Sequence, residues 1–338
     1  MFIVLRMGLP ARVRALFAWL ERHRRLKLVL ELGVGIVVVG FSAYAVRGEW
    51  AKAGPLLADT QPGWFGLALA TVAVYYLVFI LGWMRILAAL GIRISYSAAL
   101  QSEMVSMLAK YVPGGVWTPA ARVAALERLH RTNATGVVLS SILIEAVLSA
   151  LSGVVVFVVS LAWVRNVDAP LIPLVLFGLA CAALLQPRIF QPLMTRVLRP
   201  FGVRSLQPLP LPTMLGLLGF YCVTWLIGGL ALLFLIRSLG ADPGLATVPF
   251  LGGTAAVGAI VAVLAVFAPS GLGVREAAMY GLLIAVTNHT TALGTTILNR
   301  LAITVVEIGL FVCGLFLWRI TNRGSTRGAR PDPGIAEE

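Results

Sequence analysis

The stretch FAPSGLGVRE, residues 267–276, places a proline, two glycines and an arginine–glutamate pair inside an otherwise apolar part of the chain. A second break, KYVPGGVWTP at residues 110–119, is followed closely by Arg122. In a bilayer, a helix can be interrupted only where protein or a water-filled cavity satisfies its backbone polar groups. Paired breaks in corresponding parts of two halves are the best sequence pointer to a transport site. We therefore expect the function to lie at these two breaks.

The composition is that of an integral membrane protein. The 338 residues are 59% hydrophobic and 12% charged, whereas soluble domains carry about 25% charged residues. The net charge of +13 does not indicate a nucleic-acid partner, because most Lys and Arg residues fall in segments that we assign to one side of the membrane. The three cysteines lie in apolar runs without metal-type spacing, so we expect no metal and no cofactor.

Six apolar runs are long enough to cross a bilayer core of about 30 Å, which takes roughly 20 helical residues. They are 28–46, 64–84, 134–161, 170–187, 212–236 and 293–318. The segments 96–131 and 245–290 contain the breaks and are predicted to form helical hairpins. The second of them could instead form two full spans, which would give eight spans. The predicted fold class is an all-α, polytopic membrane helical bundle.

Basic residues orient this bundle. They are concentrated in 1–27, in 85–133, in the acid-free linker 188–211 and in the C-terminal tail. Because cytoplasmic loops carry an excess of Lys and Arg, both termini and the linker are predicted to be cytoplasmic. We expect the membrane to be the cytoplasmic membrane of a bacterium or an archaeon.

This orientation predicts an inverted-topology repeat. The order span, span, hairpin, span occurs in 28–162 and again, with opposite orientation, in 170–319. The predicted domains are a basic amphipathic N-terminus at 1–27, a transmembrane domain at 28–320 and a disordered cytoplasmic tail at 321–338.

The first break has the features of an anion site. Thr118 suits the N-cap position and Pro119 suits the first helical position. A helix that begins there would direct its free N–H groups toward the preceding turn, where a phosphate could bind. The alternative is an ordinary helix-terminating loop with a cytoplasmic arginine. The candidate substrate-binding residues here are Lys110, Pro113, Gly114, Gly115 and Arg122.

The second break is more specific. Gly271 and Gly273 permit a tight turn, and Arg275 then opens the next helix. A buried arginine–glutamate pair is costly to desolvate, so it should have a reason. The alternative is a structural ion pair, in which Glu276 neutralises Arg275 or either residue reaches another helix. The candidate substrate-binding residues here are Pro269, Gly271, Gly273, Arg275 and Glu276.

Further polar residues lie within the predicted spans and hairpins. Arg300 and Glu307 share one face of the last span, seven residues apart, and are too distant to pair directly. Such residues are expensive in a membrane unless they are paired or face water. They either line a polar path or lock helices together. The set comprises Glu103, Glu145, Asn299, Arg300 and Glu307.

At these breaks the chain resembles the membrane domain of lysylphosphatidylglycerol synthases and their stand-alone, flippase-like relatives. The second block is similar to the family signature PGGxGxRE, with Ser270 where glycine is common. The resemblance covers roughly residues 28–320. It implies a domain that moves a lipid between leaflets, which in full-length synthases is an aminoacylated lipid made by a separate cytosolic domain. About 20 residues follow the last span, so we expect no lysyl transfer.

The leading hypothesis is therefore a non-enzymatic, flippase-like protein that translocates a phosphate-bearing lipid. Its expected partners are anionic phospholipids or polyprenyl-phosphate lipids, together with envelope-biosynthesis enzymes, and no nucleic acid. One alternative is a membrane glycosyltransferase or another lipid-modifying transferase that uses such a lipid as donor. A scaffold for other envelope proteins is a third possibility. The sequence does not predict the oligomeric state or the identity of the lipid.

Overall fold

A computed structural model describes residues 47, 54–109, 117–130, 135–164, 171–198, 209–265 and 271–327. These ranges contain helices and no strand, which confirms the all-α fold class. The first five α-helices are Pro62–Ala89 (α1), Tyr96–Ala109 (α2), Trp117–His130 (α3), Thr135–Ser160 (α4) and Leu171–Leu185 (α5). The next five are Pro187–Leu198 (α6), Leu211–Ser238 (α7), Val248–Leu264 (α8), Val274–Leu283 (α9) and His289–Arg327 (α10).

Five helical segments of the described ranges are long and apolar enough to cross a membrane. They are Pro62–Ala89, Thr135–Ser160, Leu211–Ser238, Leu245–Leu264 and His289–Gly314. Four of them coincide with predicted spans, and the fourth in order is the first arm of the second predicted hairpin, extended by a 3₁₀ turn. The predicted span 28–46 lies outside the described residues.

One predicted span is shorter than expected. The run 170–187 forms α5, which has 15 residues and is therefore about 22 Å long. It ends before Pro187 because a proline disfavours the helical conformation of the residue that precedes it. The chain then turns directly into α6. The described part of α5 is therefore shorter than the other candidate spans.

The two predicted hairpin segments differ in the length of their arms. Helices α2 and α3 have 14 residues each, about 21 Å, and they pack against each other. In the second segment α9 has only 10 residues, about 15 Å, and packs against α8. The connecting turns lie outside the described residues, and with them five candidate binding residues: Lys110, Pro113, Gly114, Gly115 and Pro269.

Helix α7 occupies the centre of the bundle and packs against α1, α4, α8 and α10. Its contact with α8 is unusually close. A Cβ atom added at Gly229 would lie 2.3 Å from the carbonyl oxygen of Val248, and one at Gly252 would lie 2.5 Å from that of Trp225. Small residues of this kind allow membrane helices to touch through their backbones. Glycine is therefore required at both positions for packing.

Large apolar side chains are exposed on the outside of the bundle, as contact with lipid requires. They include Val159, Ile172, Leu211 and Val263. A soluble monomer rarely exposes apolar area on this scale. The interior holds the polar residues that the sequence singled out, and these form two clusters on either side of a central cavity.

Candidate functional site

Arg122 is the centre of the first polar cluster. It is 4% exposed, and α3 places it between two carboxylates. Its Nη1 donates a hydrogen bond to Glu145 on α4. Its Nε lies 2.6 Å from Oε2 of Glu103 on α2, a close ionic contact that does not meet hydrogen-bond geometry. One buried guanidinium is therefore shared by two carboxylates.

Aromatic side chains hold this cluster in place. The Cζ atom of Arg122 lies 3.8 Å from the centroid of the Trp83 ring, a cation–π contact. The indole N–H of Trp83 in turn donates to Ser141 Oγ at 2.9 Å. From α7, the hydroxyl of Tyr221 donates to Glu145 Oε1 at 3.4 Å. The cluster thus joins five helices, and its arginine is already engaged by protein groups.

Glu276 organises the second cluster at the start of α9. Its Oε2 accepts a 2.6 Å hydrogen bond from the backbone N–H of Gly273, which is the N-cap residue with φ of 81°. Its Oε1 accepts a hydrogen bond from Nη1 of Arg300 on α10. Of the interpretations left open by the sequence, the structure favours the pair that reaches another helix. The Gly273 amide is therefore occupied by Glu276.

Arg275 faces a central cavity of about 160 Å³. It forms no ion pair with any residue that the structure describes. A Cβ atom added at Gly258 would lie 2.6 Å from Met279 Cγ and 3.4 Å from Arg275 Cγ. Gly258 therefore makes room for α9 and for the stem of this arginine. The other polar side chains that line the cavity are Tyr75, Tyr76, Glu103 and Asn299.

The polar stripe of the last span faces the interior of the bundle. Thr304 and Glu307 are buried, at 4% and 5% exposure, and Asn299 at 7% lines the cavity. The hydroxyl of Tyr76 on α1 donates to Glu307 Oε1 at 2.5 Å. Arg300 and Glu307 thus contact different helices, in agreement with their predicted separation. The stripe both locks helices together and borders the cavity.

Residues 28–310 match the family described as the lysylphosphatidylglycerol synthase transmembrane region. The chain belongs to this family. The match confirms the resemblance inferred from the two breaks, and it makes the chain an integral membrane protein of a lipid-related family. No curated protein matches the chain.

Within the family region, the cavity brings together part of the predicted site. Glu103 from the first hairpin segment, Arg275 from the second and Asn299 from the last span line it together. Four other described candidates do not line the cavity. Arg122 forms ion pairs with Glu103 and with Glu145. Glu276 and Arg300 pair with each other. The roles of these residues in binding stay predictions.

Sequence reasoning missed four aromatic residues that support the site: Tyr75, Tyr76, Trp83 and Tyr221. One signal was present. Tyr75 and Tyr76 lie near the middle of α1, whereas tyrosines of membrane helices concentrate at the two interfaces. A mid-span pair of hydroxyl groups therefore indicates polar partners inside the bundle.

Proposed function

We propose that this chain binds the phosphate of a membrane lipid in the central cavity and moves the lipid headgroup between leaflets. The observation that carries the proposal is Arg275, a guanidinium that lines a cavity and has no ion-pair partner among the described residues. An uncompensated cation at membrane depth is expensive. A phosphate would compensate it, because the planar fork of a guanidinium matches two phosphate oxygens at once.

The size of the cavity supports a headgroup as the ligand. At about 160 Å³ it is smaller than the pockets of about 300–1,000 Å³ that enclose drug-sized molecules. A phosphate with a small substituent fits such a space, and the acyl chains would remain in the bilayer. The substrate class that we propose is a phospholipid or a polyprenyl-phosphate lipid.

Both halves of the chain contribute residues to the lining of the central cavity, which supports movement of a ligand across the membrane. Glu103 belongs to the hairpin segment of the first half and Arg275 to that of the second half. If the two segments enter from opposite faces, as the inverted-topology proposal requires, a ligand between them is reachable from both leaflets. In this scheme Tyr75 and Asn299 supply additional hydrogen bonds, and Arg122 fixes the carboxylate of Glu103.

A transport assay tests the proposal. The purified protein is reconstituted into liposomes that contain fluorescent phospholipid, and a membrane-impermeant quencher reports the fraction of the lipid in the outer leaflet. We expect the wild type to accelerate exchange and Arg275→Gln to abolish the acceleration. The matched control is Arg237→Gln, which removes an arginine whose partner is Asp242 in the loop after α7, and it should retain exchange.

Two results would overturn the proposal. One is exchange by Arg275→Gln at the wild-type rate. The other is an absence of exchange with zwitterionic, anionic and polyprenyl-phosphate lipids alike. A covalently modified lipid after incubation with a donor lipid would instead support the transferase alternative, with Glu103 as the carboxylate that faces the cavity and acts as general base.

A further inference from the structure

A second cavity lies on the outer side of the bundle where α4, α5 and α7 meet. It has a volume of about 440 Å³ and shares no lining residue with the central cavity. We call it the lateral groove. Its walls include Leu148 and Leu151 of α4, Leu185 of α5, and Met214 and Leu218 of α7. Gln186, at the end of α5, is the polar residue of the lining.

The end of α5 shapes this groove. Helix α5 ends at Leu185, directly before the turn at Gln186. Beyond that point α5 no longer covers the apolar side chains of α4 and α7, and the groove opens there. An apolar groove of this kind is suited to a hydrocarbon chain.

Helix α6 provides a basic, amphipathic edge to the groove. It begins directly after Gln186, and its partly buried Phe190 packs against the core cluster that contains Leu148 and Leu185. Arg188 and Arg196 are exposed and lie on the polar side of the helix. Basic amphipathic helices of this type lie in the plane of the membrane interface and attract anionic lipids.

The charges on α5, α6 and α7 have a single sign. The sequence contains no Asp or Glu between Asp168 and Asp242, so α5, α6 and α7 supply no acidic counter-ion. In the described part of α6, neither Arg188 nor Arg196 forms an ion pair. A phosphate at the membrane surface would complement both arginines.

We propose that the lateral groove binds one anionic glycerophospholipid, separate from the lipid that is transported. One acyl chain lies between α4, α5 and α7, and the phosphate lies against Arg188 and Arg196. The apolar lining supplies affinity for the chain, and the two arginines supply selectivity for the net charge of the headgroup. This site does not depend on the central cavity or on Arg275.

Retention of lipid by the purified protein tests the proposal. The protein is placed in nanodiscs that contain equal amounts of phosphatidylglycerol and phosphatidylcholine with identical acyl chains, and the retained lipid is counted by native mass spectrometry after release. We expect one phosphatidylglycerol to be retained. Arg188→Gln and Arg196→Gln should each lower the preference for it about fivefold, in line with the usual effect of one basic residue near a membrane surface. Arg93→Gln removes an exposed charge from the loop between α1 and α2 and is the control.

The groove itself is tested by filling it. Ala182 lines the groove, whereas its exposed neighbour Ala183 does not. Ala182→Trp should abolish lipid retention, and Ala183→Trp should leave it intact. Photo-crosslinking of the wild-type protein with a phosphatidylglycerol that carries a photoreactive acyl chain locates the chain directly. The lipid should label peptides from α4, α5 and α7.

Three outcomes would overturn the proposal: equal retention of the two lipids, unchanged retention in Ala182→Trp, or labelling that is spread over the whole lipid-facing surface. Arg275→Gln separates this site from the proposed transport site. It should stop exchange in the liposome assay and leave the retained phosphatidylglycerol in place.

Discussion

The hydroxyl of Tyr76 on α1 donates a hydrogen bond to Glu307 on α10, a residue 231 positions away in the chain. A counterpart exists, because Tyr221 on α7 donates to Glu145 on α4. Each glutamate thus lies on the last helix of one predicted half and is held by a tyrosine from the second span of the other half. This reciprocal exchange supports the proposed inverted repeat, and the hydrogen bond from Tyr76 is the shorter of the two.

Replacing Tyr76 by phenylalanine should destabilise the protein. Glu307 is buried, and loss of the hydroxyl removes a donor from its carboxylate. The loss of one hydrogen bond to a carboxylate costs about 1.5–3 kcal/mol. Unfolding of the detergent-solubilised protein by a denaturant measures the change. Tyr75→Phe is the matched control, because Tyr75 lines the cavity without a hydrogen bond to a described residue, and equal losses in both variants would contradict the assignment.

The Arg122 cluster should respond to removal of charge in a non-additive way. Arg122→Met leaves the buried Glu145 and the partly buried Glu103 near each other without their cation, which should destabilise the protein by about 3–5 kcal/mol. Adding Glu103→Gln and Glu145→Gln removes the uncompensated charges and should recover most of that loss, as measured by denaturant unfolding. A triple variant no more stable than Arg122→Met would show that the ion pairs are not the main contribution.

A double-mutant cycle distinguishes the two possible partners of Glu276. For Glu276→Gln combined with Arg300→Gln, we expect an interaction free energy within the range of about 0.5–3 kcal/mol that is typical of contacting residues. The same cycle with Arg275→Gln should give a value near zero, because Glu276 pairs with Arg300. Thermal or denaturant unfolding of the four variants of each cycle provides the measurement. An interaction free energy that is larger for Glu276 with Arg275 than for Glu276 with Arg300 would refute this pairing.

Two adjacent glycines of α7 should tolerate alanine very differently. A Cβ atom at Gly229 would lie 2.3 Å from a backbone oxygen of α8, whereas one at Gly228 would meet nothing within 4 Å. Gly229→Ala should therefore force α7 and α8 apart, at a cost of about 1–3 kcal/mol for overpacking. Gly228→Ala should be neutral or stabilising by up to about 1 kcal/mol, since alanine favours helix. The expression level and the denaturant unfolding of the two variants provide the measurement. Equal stability of Gly228→Ala and Gly229→Ala would contradict the close contact between α7 and α8.

The sequence was sufficient to predict the helices whose signal is local. Apolar runs of span length identified α1, α4, α7 and α10, and the spacing of Arg300 and Glu307 placed them on one face of α10. The shorter α5 also had a local cause, the proline at 187, which hydropathy averaging does not detect.

The partners of the charged residues were not predictable in the same way. Arg122 was expected to face a phosphate, but Glu103 and Glu145 approach it from two other helices. Glu276 follows Arg275 in the sequence and nevertheless pairs with Arg300. Which carboxylate meets which guanidinium depends on the rotation and depth of whole helices, and these are set by packing between segments far apart in the chain.

The backbone contact between α7 and α8 limits how the protein can move. With no layer of side chains between the two helices at Gly229 and Gly252, they cannot slide past one another without a clash of main-chain atoms. Transporters commonly alternate access by rocking rigid bodies against each other. In the proposed lipid transport, α7 and α8 would therefore move as one unit. The turn that carries Arg275 would move with them, because a Cβ atom added at Gly271 would lie 2.3 Å from the Cβ atom of Ala262 on α8.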